Sequence, residues 1–326
     1  MGTRLRIVFI NLIGGLLACG FMLLLLPAPA MAAETETPKV VNHRDLIFSA
    51  PEKPDPTPAD DIPEGELPVT AVTLTGSAST HEGTGGIYVL NQTDYEPDYA
   101  ALLSDGVSLS EVTEGPQVLI LHTHGTEAYS PEGTVSYDPE SGEASVRSEN
   151  PDEDVVAVGR VMAEALEKRG IEVVHDETLC DIPSFNQAYV KSLAVAEAEL
   201  EAYPSVRVVL DIHRDSMITS TGVKYRPITV IGDKTAAQMM LVVGTPQNGK
   251  QHDNWRDNLR FAMALQKILV DNYPGLMRPL NLRADRFNQH LRQGAILVEV
   301  GSCGNSLGEA EYAAELFAAG LAQLLK

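Results

Sequence analysis

The sequence predicts an α/β domain whose mostly parallel sheet is flanked by helices on both faces, and three observations carry that prediction. After Gln117, strand-length apolar runs alternate with amphipathic helical stretches. Three of those runs, at 118–121, 206–210 and 295–298, are apolar almost throughout, the pattern of strands buried on both sides. Each leads into a polar string: His122-Thr123-His124-Gly125-Thr126-Glu127, Asp211-Ile212-His213-Arg214-Asp215-Ser216, and Glu299-Val300-Gly301-Ser302. An open α/β sheet keeps its site at such strand tips.

Taken in order, the chain begins with Arg4 and Arg6, followed by an apolar run over 7–26. About twenty residues of helix at roughly 1.5 Å each cross a bilayer core, and leading basic residues keep the start in the cytoplasm. Residues 1–32 are therefore expected to be a single-pass transmembrane anchor in the cell membrane. The alternative is a signal peptide cut after Ala30-Met31-Ala32. Both readings place the remainder outside the cytoplasm. Residues 33–68 carry Pro38, Pro51, Pro54, Pro56, Pro58, Pro63 and Pro68 among acids, a disordered spacer by composition. A small lead-in segment, 69–115, holds weak strand signals at 72–74 and 87–90 and precedes a catalytic domain over 116–326.

Within that domain a helix over 155–169 aligns Val155, Val158, Met162 and Leu166, and stops at Gly170. A strand at 171–174 follows. A second helix starts near Ser184, aligns Tyr189, Leu193, Ala196 and Leu200, and ends before Pro204. Strands at 228–231 and 241–243 and a helix over 254–272 come next. Ser306-x-x-Glu309 is a capping box opening the last helix.

The formal charge is −21, and between 132 and 154 eight acidic residues meet a single Arg147. Such a run is read as a solvated loop, or as one bordering a cleft and repelling anionic polymers. No basic stripe exists for a phosphate backbone, which argues against a nucleic acid partner. Three cysteines do not make a disulfide framework. With Cys19 in the apolar run, Cys180 and Cys303 form either one bridge or two separate buried thiols.

The three strings supply His-x-x-Glu, a distant His and a distant unpaired Glu, the set a catalytic zinc hydrolase requires. His124 and Glu127 are close enough for one loop to deliver both to a Zn2+ ion, and His213 arrives from a neighbouring strand end as the third ligand. Glu299 remains unligated, takes the proton of the attacking water and returns it to the leaving nitrogen. His122 either replaces His124 or orients a ligand through its ring N–H. Strand alternation puts both histidines on one side. Arg214 is read as an oxyanion or carboxylate binder, or as an ion-pair partner of Asp211 or Asp215. Asn288 and His290 precede the Glu299 strand and are read as substrate-binding. His43, His81, His175 and His252 lack such a setting and are read as structural.

The strings His122 to Tyr129, Asp211 to Ser216 and Asn288 to Ser302 resemble the stage II sporulation protein P family, as does Asn91-Gln92-Thr93 in the lead-in. The resemblance runs from about residue 85 to 326. It implies a membrane-anchored, zinc-dependent N-acetylmuramoyl-L-alanine amidase with an endopeptidase activity. That enzyme would degrade septal peptidoglycan during engulfment, partnered by the lytic transglycosylase called stage II sporulation protein D. The fold implied is that of zinc amidases and carboxypeptidases. In the amidases the first zinc His precedes a Gly, matching His124-Gly125, but the metal Glu lies farther on. By that spacing Glu143, Glu149 or Glu153 are alternatives to Glu127. Two other readings are a zinc carboxypeptidase trimming stem peptides and an inactive wall-binding scaffold.

Overall fold

The computed structural model describes residues 62–111 and 114–326. The anchor expected over 1–32 and nearly all of the 33–68 spacer lie outside the described residues. Among those described, no helix is long and apolar enough to cross a membrane.

The main sheet has eight strands: β2 (Glu82–Thr84), β3 (Ile87–Asn91), β4 (Val118–Leu121), β6 (Val173–His175), β7 (Val208–Asp215), β10 (Met239–Gly244), β11 (Leu280–Arg283) and β12 (Gly294–Ser302). Their spatial order is β2-β3-β11-β10-β12-β7-β4-β6. A second sheet of four strands has the order β5-β1-β8-β9, from β1 (Leu67–Val72), β5 (Ser136–Tyr137), β8 (Lys224–Ile231) and β9 (Lys234–Ala237). The helices are α1 (Tyr99–Ser104), α2 (Val155–Glu167), α3 (Ala188–Ala202), α4 (Trp255–Asn272) and α5 (Leu307–Leu325).

The α/β class and the helices on both faces hold, but the expected mostly parallel sheet is mixed. β12, β7, β4 and β6 run parallel, whereas β10 opposes β12 and β2 opposes β3. The reason lies in the connections. A crossover helix forces parallel pairing, but β10 follows β9 with only Gln238 between them, so no helix constrains its direction.

Alternation along β4 explains the unbroken apolar runs. Val118 and Ile120 join the large core with α2, α4 and α5, while Leu119 and Leu121 meet Ala196 and Leu200 of α3 on the other face. Truncating such a residue to Ala typically costs about 2–5 kcal/mol. Helix ends follow local chemistry. Asp154 accepts the Val156 N–H at the start of α2, and Gly170 takes φ 81° just beyond its end. The Ser306–Glu309 capping box opens α5. Cys180 and Cys303 are both buried and free.

This frame places the ends of β4, β7 and β12 side by side. Glu299 of β12 is the register partner of His213 on β7, so the two side chains leave the same face. Ile212 and Val298 belong to the large core, so that face is the α3 side.

Candidate metal centre at the strand ends

β4 stops at Leu121, and residues 122–126 form a turn held by two buried carboxylates. Asp211 accepts the Thr123 N–H at 2.8 Å and the Thr123 hydroxyl at 2.6 Å. Asp181 accepts the Thr126 hydroxyl at 2.6 Å. A Cβ on Gly125 would sit 2.7 Å from Leu179 Cδ2 and 3.3 Å from Leu179 Cα, so any side chain there would make Leu179 move.

The turn separates the two histidines that strand alternation had put together. His122 is fully buried against α2, with Nδ1 3.2 Å from Ile212 O and Nε2 2.8 Å from His175 Nε2. His124 faces the opposite way, stacked on Phe185 and edge-on to Tyr189 and His213. The same-side expectation fails because alternation ends where the strand does.

One oxygen or nitrogen from each of His124, Glu127 and His213 lies within 4.8 Å of the others. His213 Nδ1 is 3.3 Å from Glu127 Oε2, and His124 Nδ1 is 3.8 Å from Glu127 Oε1. Two imidazoles and a carboxylate with this convergence fit a catalytic Zn2+. On the far side of His213, Nε2 faces Asp211 Oδ1 at 3.1 Å, though without hydrogen-bond alignment. A carboxylate behind a ligating imidazole sets its tautomer and basicity.

The electrostatics support the same assignment. Burial chiefly pushes His124 down to about 4, which leaves its imidazole neutral and able to ligate. Burial works against charge on His213 too, but Asp211 and Glu127 outweigh it and hold a proton there, one that a metal would displace. For Glu127, burial opposes ionisation, yet His213, Arg214 and His124 keep its carboxyl below the usual range. Glu299 differs. Burial first, then the neighbouring Asp215 charge, pushes it up to about 8, and its Oε2 has no hydrogen-bond partner. A high-pKa carboxylate with a free oxygen beside the donor triad is suited to exchanging a proton at the site.

The remaining expected site residues fall elsewhere. Arg214 is buried, and its guanidinium donates to the backbone carbonyls of Ala128, Asp215 and Val146. Its backbone N–H donates to Glu127 Oε2 at 3.1 Å, so it secures the Glu127 segment from behind instead of facing a cleft. Neither the oxyanion role nor the ion pair with Asp211 or Asp215 is formed. Asn288 adopts φ 58° and donates to Tyr189 O and Ser192 Oγ, tying the loop before β12 to α3. His290 is half-buried near Arg286, Glu197 and His252, apart from the triad. Of the alternative acids, Glu149 and Glu153 are exposed, and Glu153 accepts from Ser148.

Sequence reasoning missed Asp211 as the support for His213, although a spacing of two on a strand already put them on one face. It also missed Phe185, Tyr189 and Arg147, whose approach to His124 depends on how distant segments fold together.

The geometry can be set beside known proteins. The model of the family described as Stage II sporulation protein P (SpoIIP) matches residues 71–322. Stage II sporulation protein P of Bacillus subtilis (strain 168) is 30% identical over 210 residues, which cover 60% of this chain and 48% of that protein. The chain thus spans about half the length of the curated relative. The amidase Ami1 of Mycobacterium smegmatis aligns with TM-score 0.36 and 15% identity over 66% of this chain and 99% of its own. The CwlD amidase of Clostridioides difficile, solved with the GerS lipoprotein, aligns with TM-score 0.37 and 15% identity over 64% and 98%. With the family model spanning most of the described residues, the chain belongs to the Stage II sporulation protein P (SpoIIP) family.

Proposed function

We propose that this chain is a zinc-dependent peptidoglycan hydrolase. It cleaves the amide between N-acetylmuramic acid and the stem-peptide L-Ala in septal wall during sporulation, with endopeptidase action on cross-links as a second activity. The observation that carries this reading is the convergence of His124, Glu127 and His213 beside Glu299, whose Oε2 has no partner. Family membership supports the sporulation setting.

A Zn2+ ion held by His124, Glu127 and His213 would polarise the scissile carbonyl and make water nucleophilic at neutral pH. Glu299 accepts the proton of the attacking water and delivers it to the amide nitrogen as the bond breaks. Asp211 places its charge behind His213, 3.1 Å from Nε2, while Nδ1 faces Glu127. Arg214 fixes Glu127 through its backbone N–H. Tyr189 remains a neutral phenol, because burial and the surrounding carboxylates raise its pKa well above 10.

The protein acts outside the cytoplasm, tethered by the apolar run at 7–26 and spaced from the membrane by 33–68. A lytic transglycosylase of the stage II sporulation protein D kind is its expected partner on the glycan. Digestion of purified sacculi tests the reaction: new N-terminal L-Ala on freed stems identifies the amidase. A released C-terminal residue would make it a carboxypeptidase, and no product a scaffold. Chelation should abolish release and added Zn2+ restore it. The chain should fractionate with membranes; a mature form beginning at Ala33 in the soluble exported fraction would make residues 1–32 a signal peptide.

A further inference from the structure

We propose that Arg147, laid over the Phe185 ring, is a receptor for a substrate carboxylate beside the candidate metal centre. The peptidoglycan reading supplies only the identity of that carboxylate, which belongs to the stem peptide. Arg147 is the one cation among the eight acids of 132–154. Its backbone bridges Glu127, so it travels with the segment that carries a metal ligand.

The guanidinium is anchored on one side and open on the other. Nη1 lies 3.0 Å from Thr126 Oγ1 and 3.2 Å from Oδ2 of Asp181, whose side chain is 2% exposed. Nε and Nη2 have no hydrogen-bond partner among the described residues. In this acid-rich chain other arginines behave differently. Arg226 places Nε and Nη2 on Glu309, and Arg160 places the same fork on Glu177. That fork matches a carboxylate in two parallel bonds. On Arg147 no described residue fills it, and the side chain remains 28% exposed.

Phe185 sets where the fork sits. The Arg147 carbon centre is 4.7 Å from the Phe185 ring centroid, and that ring stacks on His124 at 4.3 Å and 13°. The fork is thus two stacking distances from a metal-ligating imidazole. Phe185 is nevertheless 50% exposed, an apolar surface at the site that a bound substrate would cover. Anchoring through Asp181 and stacking on Phe185 remove rotamer freedom in advance, which favours binding.

The test is calorimetric binding of N-acetylmuramoyl-L-Ala–D-Glu and of its diamide to the detergent-solubilised full chain. A Glu299→Gln background prevents turnover. The acid should bind roughly ten- to a hundredfold tighter than the diamide, the scale of charge-assisted hydrogen bonds. Arg147→Lys keeps a cation for Asp181 but loses the fork, and should erase most of that preference with little change in melting temperature. Should that variant fail to fold, Phe185→Leu leaves the Asp181 pair intact and should still reduce the preference. Equal binding of acid and diamide, or a preference unchanged in these variants, overturns the proposal. Hydrolysis of sacculi without acid preference removes this subsite and leaves the hydrolase reading. Acid preference without hydrolysis does the reverse.

Discussion

His122 and His124 leave β4 two residues apart and end in opposite environments on the two faces of the sheet. Under α2, His122 meets His175, and burial chiefly drives His122 down to about 3. On the α3 face, His124 meets His213 with Glu127, Asp211 and Glu299 around them. Both places hold two close imidazoles. Only the second has a buried carboxylate converging with the ring nitrogens, another behind a ring and a third with a free oxygen. Capacity for a metal and for proton transfer thus follows from carboxylates gathered at the strand ends, and not from histidines as such. The first pair is a packing device: a Cβ on Gly159 would stand 2.7 Å from His122 Nε2.

The sharpest way to break this comparison is to remove a ligand. His213→Ala should abolish stoichiometric zinc and hydrolysis while the domain still folds, and retained zinc measured by metal analysis would end its assignment as a ligand. Next in size, Glu299→Gln preserves shape but cannot accept the water proton. Turnover should fall by about 10²–10⁴, with zinc content and melting temperature nearly unchanged. Loss of zinc would instead make Glu299 a ligand, and near-normal muropeptide release would remove it from the mechanism.

The α2 side should respond in the opposite currency. His122→Ala should retain zinc better than His124→Ala but melt lower, since it opens a cavity and removes the partner of His175 Nε2. Gly159→Ala should destabilise by about 1–3 kcal/mol through crowding, despite alanine's better helix propensity. Equal zinc loss in both histidine variants would merge the two sites.

The smallest effect is on pH dependence. In the folded chain His122 is held at about 3 against 6.5 for the free side chain, and burial also lowers His175. At these two positions the unfolded chain therefore binds more protons below about 6.5, and the pair's contribution to metal-free stability should decline as pH falls from there towards 5. His213, raised above 6.5, stays protonated in the folded chain while its unfolded counterpart gains its proton around 6.5, so its contribution runs the other way near 6.5 and is constant well below it. Urea midpoints should show a shallower decline in His122→Asn; an identical slope would mean the pair is not buried neutral.

Much of this was legible in the residues. The strands at β4, β7 and β12 announce themselves because burial on both faces needs apolar side chains at successive positions. α2, α4 and α5 were readable from their apolar faces and caps to within two residues. β11 was not, since the alternation of Leu280-Asn281-Leu282-Arg283 lasts only four residues, and β9 is merely Lys234-Thr235-Ala236-Ala237. Strands that short take their identity from neighbours. The His124, Glu127, His213 and Glu299 set was visible because each residue caps an apolar run. Arg214 misled for a physical reason: adjacency to His213 put it on the other face, where backbone carbonyls claim its guanidinium.

By itself the sequence determined the alternation of strands and helices, the three strand tips that carry polar groups, and the family. Local periodicity and side-chain chemistry suffice for these. Tertiary structure alone decided the direction of β10, the burial of His122 beside His175, the carboxylate behind His213 and the stack of Arg147 on Phe185 beside His124. Each depends on which distant segments share a face, and residues such as Arg147 and Asp181, or His122 and His175, have no local pattern that pairs them.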